Sequence, residues 1–198
     1  MLISETPLDL SKELKQVLFK KNIQINIGNS IYTTVKILKN ILSYTSTLKK
    51  ESSIFDLTLN QLSDTDSESE ESEEDLINKI NLDNYIEKIV KHLDFDEHLL
   101  ILSLMNLDKF LASNFVLSEL NIQKVFFVCS MVTQKFYDDE IFTTKDYAQL
   151  CNVSVDELLE MEIYFLNSIN FNLFIKDDDF NKYKRNFEKF MEDFIINF

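Results

Sequence analysis

One glycine and one proline in 198 residues exclude most folds before any pattern is read. A sheet needs a chain reversal about every ten residues, and tight reversals lean on these two residue types. Helices joined by short connections need neither, so the chain reads as all-α. The same scarcity removes whole functional classes. A Walker loop or a dinucleotide fingerprint needs two or three glycines so that backbone can approach phosphate, and this chain has one. Apolar residues make up 45% and charged residues 27%, ordinary values for one globular domain with extensions.

The net charge is −14, and eight of the acids fall in one run, Asp64 to Asp75, leaving −6 for the rest. An acidic surface is repelled by phosphate backbones, so nucleic acid is not expected as a direct partner. No apolar run is long enough to span a bilayer, and Met1 to Pro7 has acidic Glu5 and no basic segment, so neither membrane insertion nor secretion is expected. Cys129 and Cys151 sit in apolar helical patterns and make no disulfide framework, which suits a reducing, intracellular compartment, nucleus or cytoplasm. His92 and His98 lack the four-residue spacing of a zinc-binding helix, so no metal and no cofactor is expected.

Along the chain, Thr6-Pro7-Leu8-Asp9 reads as a helix start, with Leu10, Leu14, Val17 and Leu18 as its stripe. Ile23 to Gly28 alternates isoleucine with polar residues and reads as an extended linker. A second helix follows from about Ser30 to Leu48. Residues 1–50 thus form an N-terminal helical extension, and 51–78 an acidic, disordered loop, whose run from Ser63 to Asp75 can bury nothing. Within that loop Ser67 and Ser72 each have an acid three residues on, the pattern acidophilic kinases prefer, so it is either a solvated spacer or a phosphorylated regulatory segment.

Five helices are then expected over 79–176. Leu82, Tyr85, Ile86, Ile89, Val90 and Leu93 mark the first, and Asp94 or Asp96 can cap the second, which runs from Leu99 to Leu111. The third begins at Asn121 and is apolar nearly all round, so it must be central. Thr143 with Asp146, and Ser154 with Glu157, are capping boxes opening the fourth and fifth. Phe180, Tyr183, Phe187, Phe190 and Phe194 mark a C-terminal helix over 177–198.

Three charges fall on apolar faces: Asp108, Lys135 and Glu162. Removing the partner of a buried charge costs about 3–5 kcal/mol, so each needs one. For Asp108 the expected partner is Lys88, in a salt bridge that fixes helix packing. Lys135 and Glu162 are either a mutual ion pair without a binding role or a polar site inside an apolar groove that receives a partner's helix.

The ordered strings resemble the cyclin family. Tyr85-Ile86-Glu87-Lys88-Ile89 resembles its opening Tyr-Leu-x-Arg-Ile, and Asn106-Leu107-Asp108-Lys109-Phe110 resembles Tyr-Ile-Asp-Arg-Leu. Asn121-Ile122-Gln123-Lys124 is similar to Asn-Val-His-Arg. Thr133-Gln134-Lys135-Phe136-Tyr137-Asp138-Asp139 looks like Ala-Ala-Lys-Phe-x-Asp-Asp, and Phe171-Asn172-Leu173 like a closing Phe-x-Leu. The Lys-Phe-x-Asp-Asp string and the short connections resemble the single-box P/U, or phosphate-sensing, branch. The histidine near Gln123 is missing, and the stretch that in the family leads into the box is replaced by the acidic loop.

The resemblance implies a five-helix cyclin box and a non-catalytic subunit that binds and activates a cyclin-dependent kinase as a heterodimer, in cell-cycle or nutrient-linked signalling, with no small-molecule substrate. It implies that Lys135 and Glu162 form the core of the kinase contact, beside a groove lined by Phe136, Leu158 and Phe165, with Asp138 and Asp139 near basic kinase residues. It also implies the structural bridge between Lys88 and Asp108. A protein-only adaptor built on the same fold is the alternative. An enzyme would need a convergent set of titratable groups, and none is visible in the sequence.

Overall fold

A computed structural model describes residues 10–45, 53–56 and 81–195, with side chains between 27 and 192 in those stretches. The capping signal at Thr6 to Asp9, the acidic run with Ser67 and Ser72, and the Phe194 side chain lie outside the described residues.

The described fold is all-α, with seven helices: α1 (Leu10–Thr45), α2 (Leu82–His92), α3 (Glu97–Leu111), α4 (Ile122–Tyr137), α5 (Thr144–Cys151), α6 (Val155–Ser168) and α7 (Asp177–Ile195). Helix α4 is the axis. Every residue from Lys124 to Gln134 is buried, as an apolar stretch walled in on all sides requires. Helices α3, α6, α2 and α5 pack against it, and α1 and α7 lie outside, touching α3 and each other. This is the packing of a cyclin box with flanking helices.

The linker expected at Ile23 to Gly28 is instead part of α1, one 36-residue helix. Alternating isoleucines resemble a strand, but no other strand is described to pair with them. Gly28 costs about 1 kcal/mol relative to alanine in a helix interior, too little to break it. The position is exposed, and a Cβ there would meet nothing within 4 Å.

Helix starts follow the side chains foreseen. Asp96 caps α3, its carboxylate accepting from the Leu99 N–H at 2.8 Å, while Asp94 takes a left-handed conformation. Thr143 and Asp146 form a complete capping box for α5. Ser154 accepts from the Glu157 N–H at 3.1 Å, but the Glu157 side chain leaves for another partner, so only half of that box forms. Helix ends are made without glycine. Of the five described residues with positive φ, four are Asp94, Asn114, Asn152 and Asn170, short polar side chains that tolerate the left-handed region. The fifth is Phe171, at 55°.

The loop expected to be disordered over 51–78 is instead anchored in the core at 53–56, ahead of the acidic run. Phe55 is fully buried, its ring edge-on to Phe110, Phe115 and Tyr164 at 5.6–5.8 Å. Beside it the Lys124 ammonium, itself buried, meets Glu157 Oε1 at 2.7 Å and the Asp56 carbonyl at 3.1 Å. This ion pair joins α4, α6 and the 53–56 segment, and pattern reading missed it.

Candidate functional site

Lys135 and Glu162 meet. They come from the last turn of α4 and the middle of α6, and the ammonium binds both carboxylate oxygens, at 2.8 and 2.9 Å. Their side chains are 23% and 15% exposed, which places the pair at the rim of the fold. The ammonium also stands 5.5 Å from the centre of the Tyr147 ring, close enough for a cation–π attraction.

Tyr147 is fully buried and carries the site's polar scaffold. Its hydroxyl donates to Gln134 Oε1 at 2.9 Å and accepts from the Phe142 N–H at 3.4 Å, and Gln134 Nε2 donates to the Leu93 carbonyl at 2.9 Å. Burial raises the phenol's pKa above its ordinary value, with smaller contributions from the Asp138 and Glu162 carboxylates. The phenol therefore stays protonated and able to donate. Asp138 is half-buried at the end of α4, accepting from the Glu140 N–H at 3.2 Å, and Asp139 is exposed beside it.

The groove residues need correction. Phe136 is 50% exposed, as a contact residue should be, but Leu158 and Phe165 are fully buried and belong to the core. The outward face of α6 is one residue further round: Val155, Leu159 and Ile163, spaced four apart and 39–52% exposed. Ile141 and Phe142, after α4, and Phe171 and Phe174, after α6, are exposed as well, the last two at 59% and 65%. Leu158 and Phe165 therefore cannot line an open groove, and the i, i+4, i+8 spacing of Val155, Leu159 and Ile163 is the sequence signal for the outward face of α6.

The bridge between Lys88 and Asp108 does not form. Helix α2 packs on α1 and α4 and has little contact with α3, so Lys88 points to solvent and is not joined to Asp108. Asp108 is exposed on α3, not set in an apolar face as expected; desolvation by its surroundings raises its carboxyl above the ordinary range, and the Tyr183 hydroxyl of α7 offsets part of that rise. The neighbouring Lys109 turns inward, donating to the carbonyls of Asn172, Leu173 and Phe174 at 2.9, 3.3 and 3.2 Å. The two thiols are buried, and burial pushes Cys151 up to about 12, which leaves it inert as a nucleophile at neutral pH. Among the described residues no group of three or more His, Cys, Asp or Glu could hold a metal ion, and no helix is long and apolar enough to cross a membrane.

Set against known proteins, residues 12–173 match the sequence model of a family described as Cyclin. Cyclin-U4-2 and Cyclin-U4-1 of Arabidopsis thaliana are each 26% identical over 106 residues, which is 52% of this chain and 49% and 52% of theirs. Cyclin-P3-1 of Oryza sativa subsp. japonica is 26% identical over 106 residues, 53% of this chain and 45% of its own. The chain thus matches about half the length of these curated relatives.

Proposed function

This chain belongs to the cyclin family, and on that premise we propose that it is a single-box cyclin of the P/U kind, a regulatory subunit that binds and activates a cyclin-dependent protein kinase. The observation that carries the proposal is the bidentate contact between Lys135 and Glu162 at the rim of an exposed apolar face made by Phe136, Val155, Leu159 and Ile163. A helix carrying apolar side chains can lie on that face, while the ammonium, held in place by two carboxylate oxygens, keeps a third proton for a carbonyl at the end of the incoming helix. Asp138 and Asp139 stand next to it for basic residues of the same partner.

Such contact would act by selection. A protein kinase is active when its β3 lysine pairs with the glutamate of its C-helix and its activation loop is ordered. A surface that fits the C-helix only in that arrangement shifts the population towards it. The interface should bury on the order of 1,600 Å² or more.

The test is co-expression with candidate kinases, followed by pull-down and a kinase assay. Lys135→Ala and Glu162→Ala should each abolish capture while leaving the domain folded, with a helical circular dichroism spectrum and a cooperative unfolding transition at a lowered midpoint. Folded variants that still capture the kinase at full strength would remove these residues from the contact. An adaptor that activates no kinase is the second reading. It is favoured by Lys135 and Glu162 already satisfying one another, and a purified complex without a kinase in stoichiometric yield would decide for it.

A further inference from the structure

The turn after α6 has a shape its sequence does not favour. Asn170 and Phe171 both have positive φ, 53° and 55°. For asparagine this is common at a helix end, but for a bulky residue it is uncommon, because Cβ crowds the following carbonyl. Such a conformation persists only when its surroundings over-determine it.

Three sets of bonds do so. The Asn170 N–H donates to the Asn167 carbonyl at 3.0 Å and the Phe171 N–H to the Leu166 carbonyl at 2.8 Å, the paired closure of a Schellman end. From α3, the Lys109 ammonium binds three successive carbonyls, those of Asn172, Leu173 and Phe174. From the end of α4, the Tyr137 hydroxyl donates to the Leu173 carbonyl at 3.1 Å and accepts from the Ile175 N–H at 2.9 Å. Lys109 directs its charge at backbone in spite of the burial that lowers its pKa. It forms no ion pair among those described, although Asp108 is next to it.

The consequence is a sorting of side chains. Leu173 and Ile175 are buried, at 8% and 7% exposure, whereas Phe171 and Phe174 stand outward. Tyr137 also packs edge-on against Phe136, ring centres 4.8 Å apart, so the gripped turn adjoins the apolar face of the proposed contact.

We propose that Lys109 and Tyr137 are positioning residues: from two core helices they clamp residues 171–175 so that Phe171 and Phe174 are held out as preset aromatic anchors for the kinase proposed above. The partner's identity as a kinase rests on the function proposed above; the clamp does not. A rigid turn loses little freedom when it is covered, which is the advantage of setting it beforehand.

Lys109→Met keeps the stem and removes the donors, Lys109→Arg restores donors, and Tyr137→Phe removes only the hydroxyl, as the milder variant should Lys109→Met not fold. Amide hydrogen exchange without any partner is the first measurement. Exchange over 171–175 should accelerate in Lys109→Met and Tyr137→Phe, stay near the original in Lys109→Arg, and be unchanged in α4. Unchanged exchange at the turn in both Lys109→Met and Tyr137→Phe would overturn the clamp, whether or not a kinase binds.

Titration with the captured kinase is the second. Lys109→Met should weaken binding by about tenfold through lost preorganisation, and Phe171→Ala should then cost less affinity in Lys109→Met than in the unaltered chain. Equal losses from Phe171→Ala in both backgrounds would leave Lys109 with a structural role only and end the positioning claim. If the unaltered chain captures no kinase, the proposed function fails, and the exchange measurement still decides the clamp.

Discussion

Lys124 and Glu157 share one ion pair and two different environments. The lysine side chain is 2% exposed and the glutamate 34%. Glu157→Ala would strand a buried cation and should destabilise by about 3–5 kcal/mol. Lys124→Met would leave a carboxylate that still reaches water and a carbonyl short of one donor, a loss of about 1–2 kcal/mol. Urea unfolding of the two variants should show that order, and a larger loss for Lys124→Met would mean the packing of the stem outweighs the charge. This pair was invisible in the sequence for a local reason. Glu157 stands three residues after Ser154, so it looked already used as the second half of a capping box. Lys135 and Glu162 were legible because each interrupts a clear apolar stripe. Asp108 interrupts a stripe in the same way yet stands exposed, and nothing local foretells that the Tyr183 hydroxyl from the last helix lies within its influence.

Among the elements, α6 shows how much rests on one residue of rotation. Neighbouring side chains on a helix point about 100° apart, so Leu158 and Leu159 are in different worlds. Leu158→Ala should destabilise by about 2–5 kcal/mol as a core cavity. Leu159→Glu should change stability by about 0.5 kcal/mol or less and yet abolish kinase capture. A chain in which Leu159→Glu binds normally would show that the outward face of α6 is not the docking surface. The starts of α3, α5 and α6 were readable because their caps are side-chain chemistry written locally: Asp96, Thr143 with Asp146, Ser154. The path of α1 was not, since three alternating isoleucines beside a glycine satisfy a strand pattern equally well. Helix ends carry a further signal that a glycine count overlooks: asparagine or aspartate takes the left-handed corner four times.

At the scale of the whole molecule, segments distant in sequence complete the core. Phe55 fills a space walled by Phe110, Phe115 and Tyr164, and the Glu97 carboxylate of α3 binds both Ser30 of α1, at 2.9 Å, and Lys184 of α7, at 3.2 Å. Phe187 of α7 is buried. A chain ending at Ile175 should therefore keep much of its helical signal while losing near-ultraviolet dichroism and gaining dye-binding apolar surface. Retention of a sharp, cooperative transition would show that α7 is dispensable.

The Glu97 clasp has a bearing on how the chain comes to life. A ribosome delivers α1 first, and two of the elements it rests on, α3 and α7, emerge long after it. Helix α2, on which α1 also packs, comes sooner, and the Glu97 contacts are complete only once Lys184 arrives. Helix α1 can thus rest on α2 and α3 before α7 exists, and the last of its supports is set by the far end of the described chain.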